Sequence, residues 1–317
     1  MVSGQLSGPY RLASGACDMT EPREGMDHNL YPFSAMPERP AMHWPDGARM
    51  AVCVLIHLEY WELEPPEDAW KDTRFTGEYG FYFPEYRPFT QREYGNRIGL
   101  FRVLKALEGR GLKLTVAANA SALERYPRAV DALQARGAEF VAHGEYQSRM
   151  LTSELGEAEE RAIIQRTTDT FERVLGARPR GWLGPDSGES ARTPQLLAET
   201  GYDHLLDWPN DDQPYLFQTT PPLVSIPNQM EWDDVTALWL RKVPNPRYPD
   251  LVGDAVETLA AEGGRSFMLS LHPWVIGQPH RMRYLREALD RLGAVENIWS
   301  ATASEIADHC RQVWGAG

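Results

Sequence analysis

Four side chains capable of acid–base chemistry stand at the ends of apolar runs in this 317-residue chain: His57, Glu59, His143 and His272. His57 and Glu59 close the run Met50–Glu59, and residues two apart share one face of a strand. Both can therefore point into one mouth. His143 closes Glu139–His143 and is followed by Gly144, which permits a sharp turn or a close substrate approach. His272 closes Phe267–His272, and Pro273 biases it away from helical geometry. Such groups suit general acid–base chemistry near neutral pH. A His–Glu hydrogen bond that merely satisfies a strand end, or a lone structural His, would leave the same local pattern. Repetition at distant strand ends favours the chemical reading.

The positioning elements follow from periodicity. Leu112–Ala117, Gly181–Gly184, Tyr202–Asp207, Leu223–Pro227 and a segment at Ile298 also read as strands. Helical spacing covers Gln91–Gly109, Ala122–Arg136, Glu157–Leu175, Gln195–Thr200, Asp250–Gly263, Arg281–Leu292 and Ala303–Val313. Strands alternating with helices about seven times in about 270 residues indicate an α/β fold, a parallel sheet closed as a (β/α) barrel, with chemistry at the C-terminal strand ends. Residues 1–45 are rich in Gly and Pro without a period and read as an irregular N-terminal arm. Residues 46–317 read as one barrel domain. The aromatic, Pro-rich stretch Tyr60–Thr90 reads as a lid or a subunit contact.

Several classes are excluded. With 45 Asp+Glu against 32 Lys+Arg, the net charge is −13. That opposes nucleic acid and anionic lipid as partners. No apolar run of roughly 18 residues occurs, so no membrane span is expected. The first residues show no export pattern, and three scattered cysteines (Cys17, Cys53, Cys310) make no disulfide framework. Both point to a cytoplasmic setting. No Gly-rich phosphate loop, Gly-x-Ser-x-Gly elbow or His-Glu-x-x-His motif is present. The loops Asp207–Asp212 and Glu231–Asp234 are dense in carboxylates, a pattern that solvated charge and Asx turns also produce.

Five blocks resemble the polysaccharide deacetylase-like family (carbohydrate esterase family 4), in the branch containing the metal-independent allantoinase and cyclic-imide hydrolases. They are Tyr94–Phe101, Arg178–Gly184, Asp207–Tyr215, Ile226–Asp234 and Leu271–Arg281, in the family's order, within a resemblance covering about Gly47 to His309. The resemblance implies a distorted (β/α)7 barrel that hydrolyses C–N or acyl bonds. Metal-dependent members use Asp-x-Asp as base then ligand and a His-x-x-x-His pair as further ligands. Here these read His57-Leu-Glu59 and His143 to Gln147, so any metal would fall to Glu59, His143 and Gln147. Gln is a poor zinc ligand. No cofactor is therefore favoured, with zinc as the alternative. His272 matches the family's late histidine, the proton donor to the leaving group. Relatives of this branch resemble homotetramers, which implies a homo-oligomer, tetramer or dimer.

The expected activity is hydrolysis of a small amide, cyclic imide or ureide. His57 or Glu59 would take the proton from water, His143 would orient water or hold a metal, and His272 would protonate the leaving group. Trp61, Trp182 and Trp274 would wall a flat pocket, with Asp212 and Arg281 completing the substrate contacts. The alternatives are a zinc-dependent deacetylase of an N-acetylated sugar or amine, and a non-catalytic binding protein on the same barrel.

Overall fold

The computed structural model describes residues 28–67, 69, 80, 84 and 86–315. Its centre is strand β1 (Met50–Leu58), nine residues all buried. A run this apolar suits a parallel strand covered on both faces. Around it stand β2 (Leu114–Ala118), β3 (Glu139–Ala142), β4 (Gly181–Trp182), β5 (His204–Leu205), β6 (Tyr215–Phe217), β7 (Leu223–Ser225), β8 (Arg265–Leu271) and β9 (Ile298–Ser300). The sheet order is β6-β7-β5-β4-β3-β2-β1-β8, and β9 pairs with the start of β1. Seven strands of this path run parallel; β6 is antiparallel to β7. The result is a curled, parallel-dominated sheet, the distorted (β/α) barrel expected. The antiparallel edge β6 follows the carboxylate-rich loop Asp207–Asp212 and was not among the expected strands. Between β8 and the β6–β7 edge, loop bonds substitute for a ladder: Ser266 N donates to Asp212 O at 2.8 Å, and Trp232 Nε1 to Met268 O at 2.9 Å.

Alternation along β1 sorts its side chains into two layers. Met50, Val52, Val54, Ile56 and Leu58 join the outer core under the helices. Ala51, Cys53 and Leu55 join the inner core with Ala117, Val141, Leu183, Leu206 and Met268. Helix α9 (Ala303–Trp314), started by a Thr302–Glu305 capping box, plugs the N-terminal end of the barrel with Ile306, Ala307, Cys310 and Trp314. Trp44 fills the same end, and its Nε1 donates to Arg265 O. With that end filled, the inner face opens only towards the C-terminal strand ends, where the next inward residues are His57 and Glu59.

The remaining α-helices are α1 (Tyr86–Tyr94), α2 (Leu100–Leu107), α3 (Ala120–Arg125), α4 (Pro127–Gln134), α5 (Glu157–Leu175), α6 (Thr193–Thr200), α7 (Tyr248–Glu262) and α8 (Met282–Gly293). The single helix expected at Gln91–Gly109 is thus interrupted: a π turn at Gly95–Gly99 joins α1 to α2. The turn shifts the register, so Leu100, Val103, Leu104 and Leu107 face the core while Ile98 and Phe101 are exposed. A Cβ at Gly95 would stand 2.7 Å from Trp274 N, and one at Gly99 would collide with Pro273 O. The glycines therefore let this segment lie against the Pro273–Trp274 backbone. Of the stretch Tyr60–Thr90, read as a lid or subunit contact, most of 68–85 lies outside the described residues, as do residues 1–27 with Cys17. Within 28–45, Tyr31 packs edge-on against Trp208, Tyr215 and Phe217.

Candidate active site

The inward-facing ends of β1, β3 and β8 bring together His57, Glu59, His143 and His272, all buried. They line one cavity with Trp61, Arg92, Gln147 and Trp274. The His57 and His272 rings stack at 3.7 Å with planes 17° apart, and His143 meets His57 edge-on at 5.4 Å. Glu59 Oε1 lies 3.6 Å from His272 Nε2 and 4.0 Å from His57 Nδ1. Its other oxygen accepts from Arg92 Nε at 3.0 Å and from Trp274 Nε1 at 3.1 Å. The Arg92 guanidinium lies 4.2 Å from the centre of the Trp274 ring and 4.9 Å from that of Trp61, a cation–π arrangement on two walls.

His272 is fixed from behind. Its Nδ1 lies 2.7 Å from Asp234 Oδ1, and Asp233 Oδ2 is 3.4 Å away. Asp234 also accepts the backbone N–H groups of His272 and Ile276. Burial opposes a charge on His272, but Asp233, Asp234 and Glu59 outweigh it and push the imidazole up to about 9. It is an imidazolium at neutral pH. Asp234, raised by burial to about 6, is still ionised there. Burial, then the charge on His272 and the nearness of His143, push His57 well below the usual imidazole range. Burial likewise lowers His143. Burial alone would raise Glu59; Arg92, His272 and His143 overcome it and hold the carboxyl below its usual value. The site thus holds one charged and two neutral imidazoles beside a carboxylate.

His143 Nδ1 lies 2.7 Å from Leu183 O, which turns Nε2 inward. His143 Nε2, His57 Nδ1, Gln147 Oε1 and Asn228 Oδ1 are buried without a hydrogen-bond partner. Orphaned polar atoms converging on one cavity mark a ligand site. Behind its wall, Asp207 accepts from Gly184 N at 2.6 Å and Glu189 from Trp208 Nε1 at 2.8 Å. Burial raises both carboxyls, Glu189 to about 7, and the charge of Glu189 raises Asp207 further.

Three of the ten residues expected from sequence lie elsewhere. Trp182 is fully buried in the outer core, edge-on to Tyr202. Its neighbour Leu183 faces inward, so alternation turns Trp182 out. Asp212 sits beside Ser266, near the filled end of the barrel. Arg281 donates to Val275 O and Asn245 Oδ1 and supports the 272–281 loop from outside the cavity. No helical turn follows His143; Gln147 reaches the cavity through a loop in which Gly144 has φ +65°. Sequence reasoning missed Arg92, Ser270 and the role of Asp234. Ser270 carries a usable signal, two residues before His272 on one strand face. Arg92 carries none, because only the glycine-mediated contact brings α1 over the site.

Two groups of described residues bring possible metal ligands within 4.8 Å of one another: His57, Glu59 and His272, and Asp233, Asp234 and His272. Zinc requires lone pairs converging at about 2.0–2.2 Å. In the first group the stacked rings direct their in-plane nitrogens nearly side by side, and Arg92 already neutralises Glu59. In the second, His272 Nδ1 and both Asp234 oxygens are committed to one another and to backbone N–H groups. His143 belongs to neither group. As the side chains stand, a zinc ion would meet a carboxylate already paired with Arg92 and an imidazole already held by Asp234.

Residues 95–205 match the family Polysaccharide deacetylase. A Schizosaccharomyces pombe protein, provisionally named a polysaccharide deacetylase, is 25% identical over 307 residues, covering 86% of this chain and 92% of its own. The crystal structure of PuuE allantoinase superposes with TM-score 0.76 at 26% identity, covering 89% of this chain and 98% of its own. A probable polysaccharide deacetylase from Pseudomonas aeruginosa PAO1 gives TM-score 0.75, also at 26% identity with the same coverage. No helix among the described residues is long and apolar enough to cross a membrane. In sequence over residues 95–205 and in fold over most of its length, the chain is polysaccharide deacetylase-like.

Proposed function

We propose that the chain hydrolyses a carbon–nitrogen bond in a small amide, cyclic imide or ureide, without a metal. The observation behind this reading is the pairing of a carboxylate with an imidazolium across one cavity: Glu59 Oε1 faces His272 Nε2. Glu59 or His57 accepts a proton from water as its oxygen bonds to the substrate carbonyl carbon. The C–N bond then breaks, and His272 Nε2 gives its proton to the leaving nitrogen. Two groups with separated pKa values supply this division of labour. Arg92 keeps Glu59 ionised, Asp234 keeps His272 protonated, and Trp61 and Trp274 exclude water.

The cavity measures about 80 Å³, against about 150 Å³ for a protein cavity that admits benzene. Space of this size takes the reacting carbonyl and its nitrogen, whichever substrate carries them. The match to the deacetylase family favours one other reading, removal of an acetyl group from an N-acetylated sugar or amine. Purified protein of measured metal content, assayed against allantoin, hydantoins, cyclic imides and N-acetyl sugars with and without chelator, separates the two. Turnover of an amide, imide or ureide that is indifferent to chelation is expected. Turnover confined to N-acetyl sugars and lost on chelation would replace this reading with a zinc deacetylase. Turnover of none would leave a binding protein.

A further inference from the structure

Ser270, on β8, is fully buried, and its hydroxyl has one described contact, His57 Nε2 at 2.7 Å. Two proton arrangements are compatible with that distance. With the imidazole proton on Nε2, His57 donates to Ser270 and the serine's own proton finds no acceptor. With the imidazole proton on Nδ1, Ser270 donates to the Nε2 lone pair and no hydroxyl proton is stranded. Each arrangement leaves one donor over, but Glu59 Oε1 stands near Nδ1, and its negative charge attracts a proton there and repels a lone pair, so the second arrangement prevails. His57 Nδ1 then carries a hydrogen, has no protein partner, and lies 4.0 Å from Glu59 Oε1, beyond hydrogen-bond reach. It points into the cavity as a free donor.

We infer that Ser270 holds His57 as the Nδ1–H tautomer, so that His57 donates to the substrate's carbonyl oxygen while Glu59 alone takes the proton from water. This rests on the amide-hydrolase reading. As the water oxygen bonds to the carbonyl carbon, its proton passes to Glu59 Oε1. The carbonyl electron pair moves onto oxygen, where the Nδ1–H of His57 meets it. The C–N bond then breaks with the His272 proton going to nitrogen. A neutral imidazole held below its usual pKa is suited to such electrophilic work, and burial beside charged His272 keeps His57 neutral. Ser270 acts on the reaction through His57 and is a positioning residue.

The tautomer can be read without a substrate. In the full chain carrying 15N-histidine, two-bond nitrogen–proton couplings report which nitrogen is protonated, and His57→Gln identifies the His57 signals. Wild type is expected to show Nδ1–H, Ser270→Ala a loss of that preference, and Ser270→Thr its return. A wild-type Nε2–H signal would overturn the inference whatever the activity. On an amide, imide or ureide that turns over, Ser270→Ala should lower kcat about tenfold to a hundredfold, short of the 10²–10³ expected for removing a donor outright. KM should change little, and Ser270→Thr should restore kcat. A changed tautomer with unchanged kcat would refute the donor role. Wild-type failure on every such substrate would defeat the hydrolase reading, while the spectrum would still decide the tautomer.

Discussion

Asp234→Asn removes one negative charge from beside His272 Nδ1 at almost constant volume. His272 stands at about 9 because Asp233, Asp234 and Glu59 together outweigh its burial. One opposite charge at this range moves a pKa by about 1–3 units, so the variant's imidazole should titrate between about 6 and 8. The sign follows from linkage. The folded value lies above the roughly 6.5 of an exposed imidazole, so the imidazolium adds stability that is fully present below pH 6.5 and is lost as pH rises towards 9. Over that window the contribution is about 3 kcal/mol. Wild-type kcat should hold to about pH 9 and then decline, and the variant's decline should begin about 1–3 pH units lower. Asn also offers an N–H where Asp234 accepts backbone N–H groups of His272 and Ile276, so some stability is lost at every pH. The position of the limb, rather than the absolute rate, is therefore the diagnostic. A pH–rate profile with a parallel NMR titration of the His272 ring supplies it. A variant whose limb and ring titration both stay near 9 would refute the assignment of Asp234 as the group that charges His272.

Arg92→Ala leaves a buried carboxylate without its cation, which costs about 3–5 kcal/mol. It should raise the Glu59 pKa and move the acidic limb of the pH–rate profile upward; urea denaturation and the profile test both. Arg92→Lys should rescue little, because a compact ammonium cannot reproduce a planar guanidinium against Trp61 and Trp274. Gly99→Ala drives a methyl group into Pro273 O. It should destabilise by at least about 1–3 kcal/mol and lower kcat as Trp274 shifts. Gly293→Ala, at the end of α8 with open space for its Cβ, is the control and should be neutral or slightly stabilising.

The legible part of this molecule is the part governed by period. Apolar runs gave the parallel strands, and the two-residue repeat predicted that His57 and Glu59 share a face, since Ala51, Cys53 and Leu55 continue the same inward series. Phase is harder. In Gly181–Gly184 nothing local states whether Trp182 or Leu183 faces in, and the larger aromatic was assigned to the cavity when the sheet turns it to the helices. A one-residue change of phase exchanges the faces of a whole strand. Loop residues are harder still. Asp212 and Arg281 were placed by their chemistry, but chain path sends Asp212 to β8's start and Arg281 to the loop's outer side. Arg92 was invisible because its position depends on a close approach between segments some 180 residues apart, permitted by Gly95 and Gly99.

The charges around Glu59 explain why an altered first-strand motif is compatible with hydrolysis on the proposed reading. Where the family's Asp-x-Asp offers one carboxylate as base and one as metal ligand, His57-Leu-Glu59 offers a single carboxylate, and Arg92 is already bound to it at 3.0 Å. The fixed positive charges are Arg92 and the imidazolium of His272, one on each side of Glu59. Glu59 is their shared counter-ion, and Asp233 and Asp234 balance His272 from behind. When Glu59 takes a proton from water, that balance is lost at the moment negative charge appears on the carbonyl oxygen. Arg92 and His272 are then under-compensated in a cavity walled by Trp61 and Trp274, where electrostatic interactions are stronger than in water. Deprotonation of water thus creates the field that stabilises the oxyanion, a coupling that a neutral Gln at position 59 would abolish while leaving the walls, the stack and the Asp234–His272 pair in place.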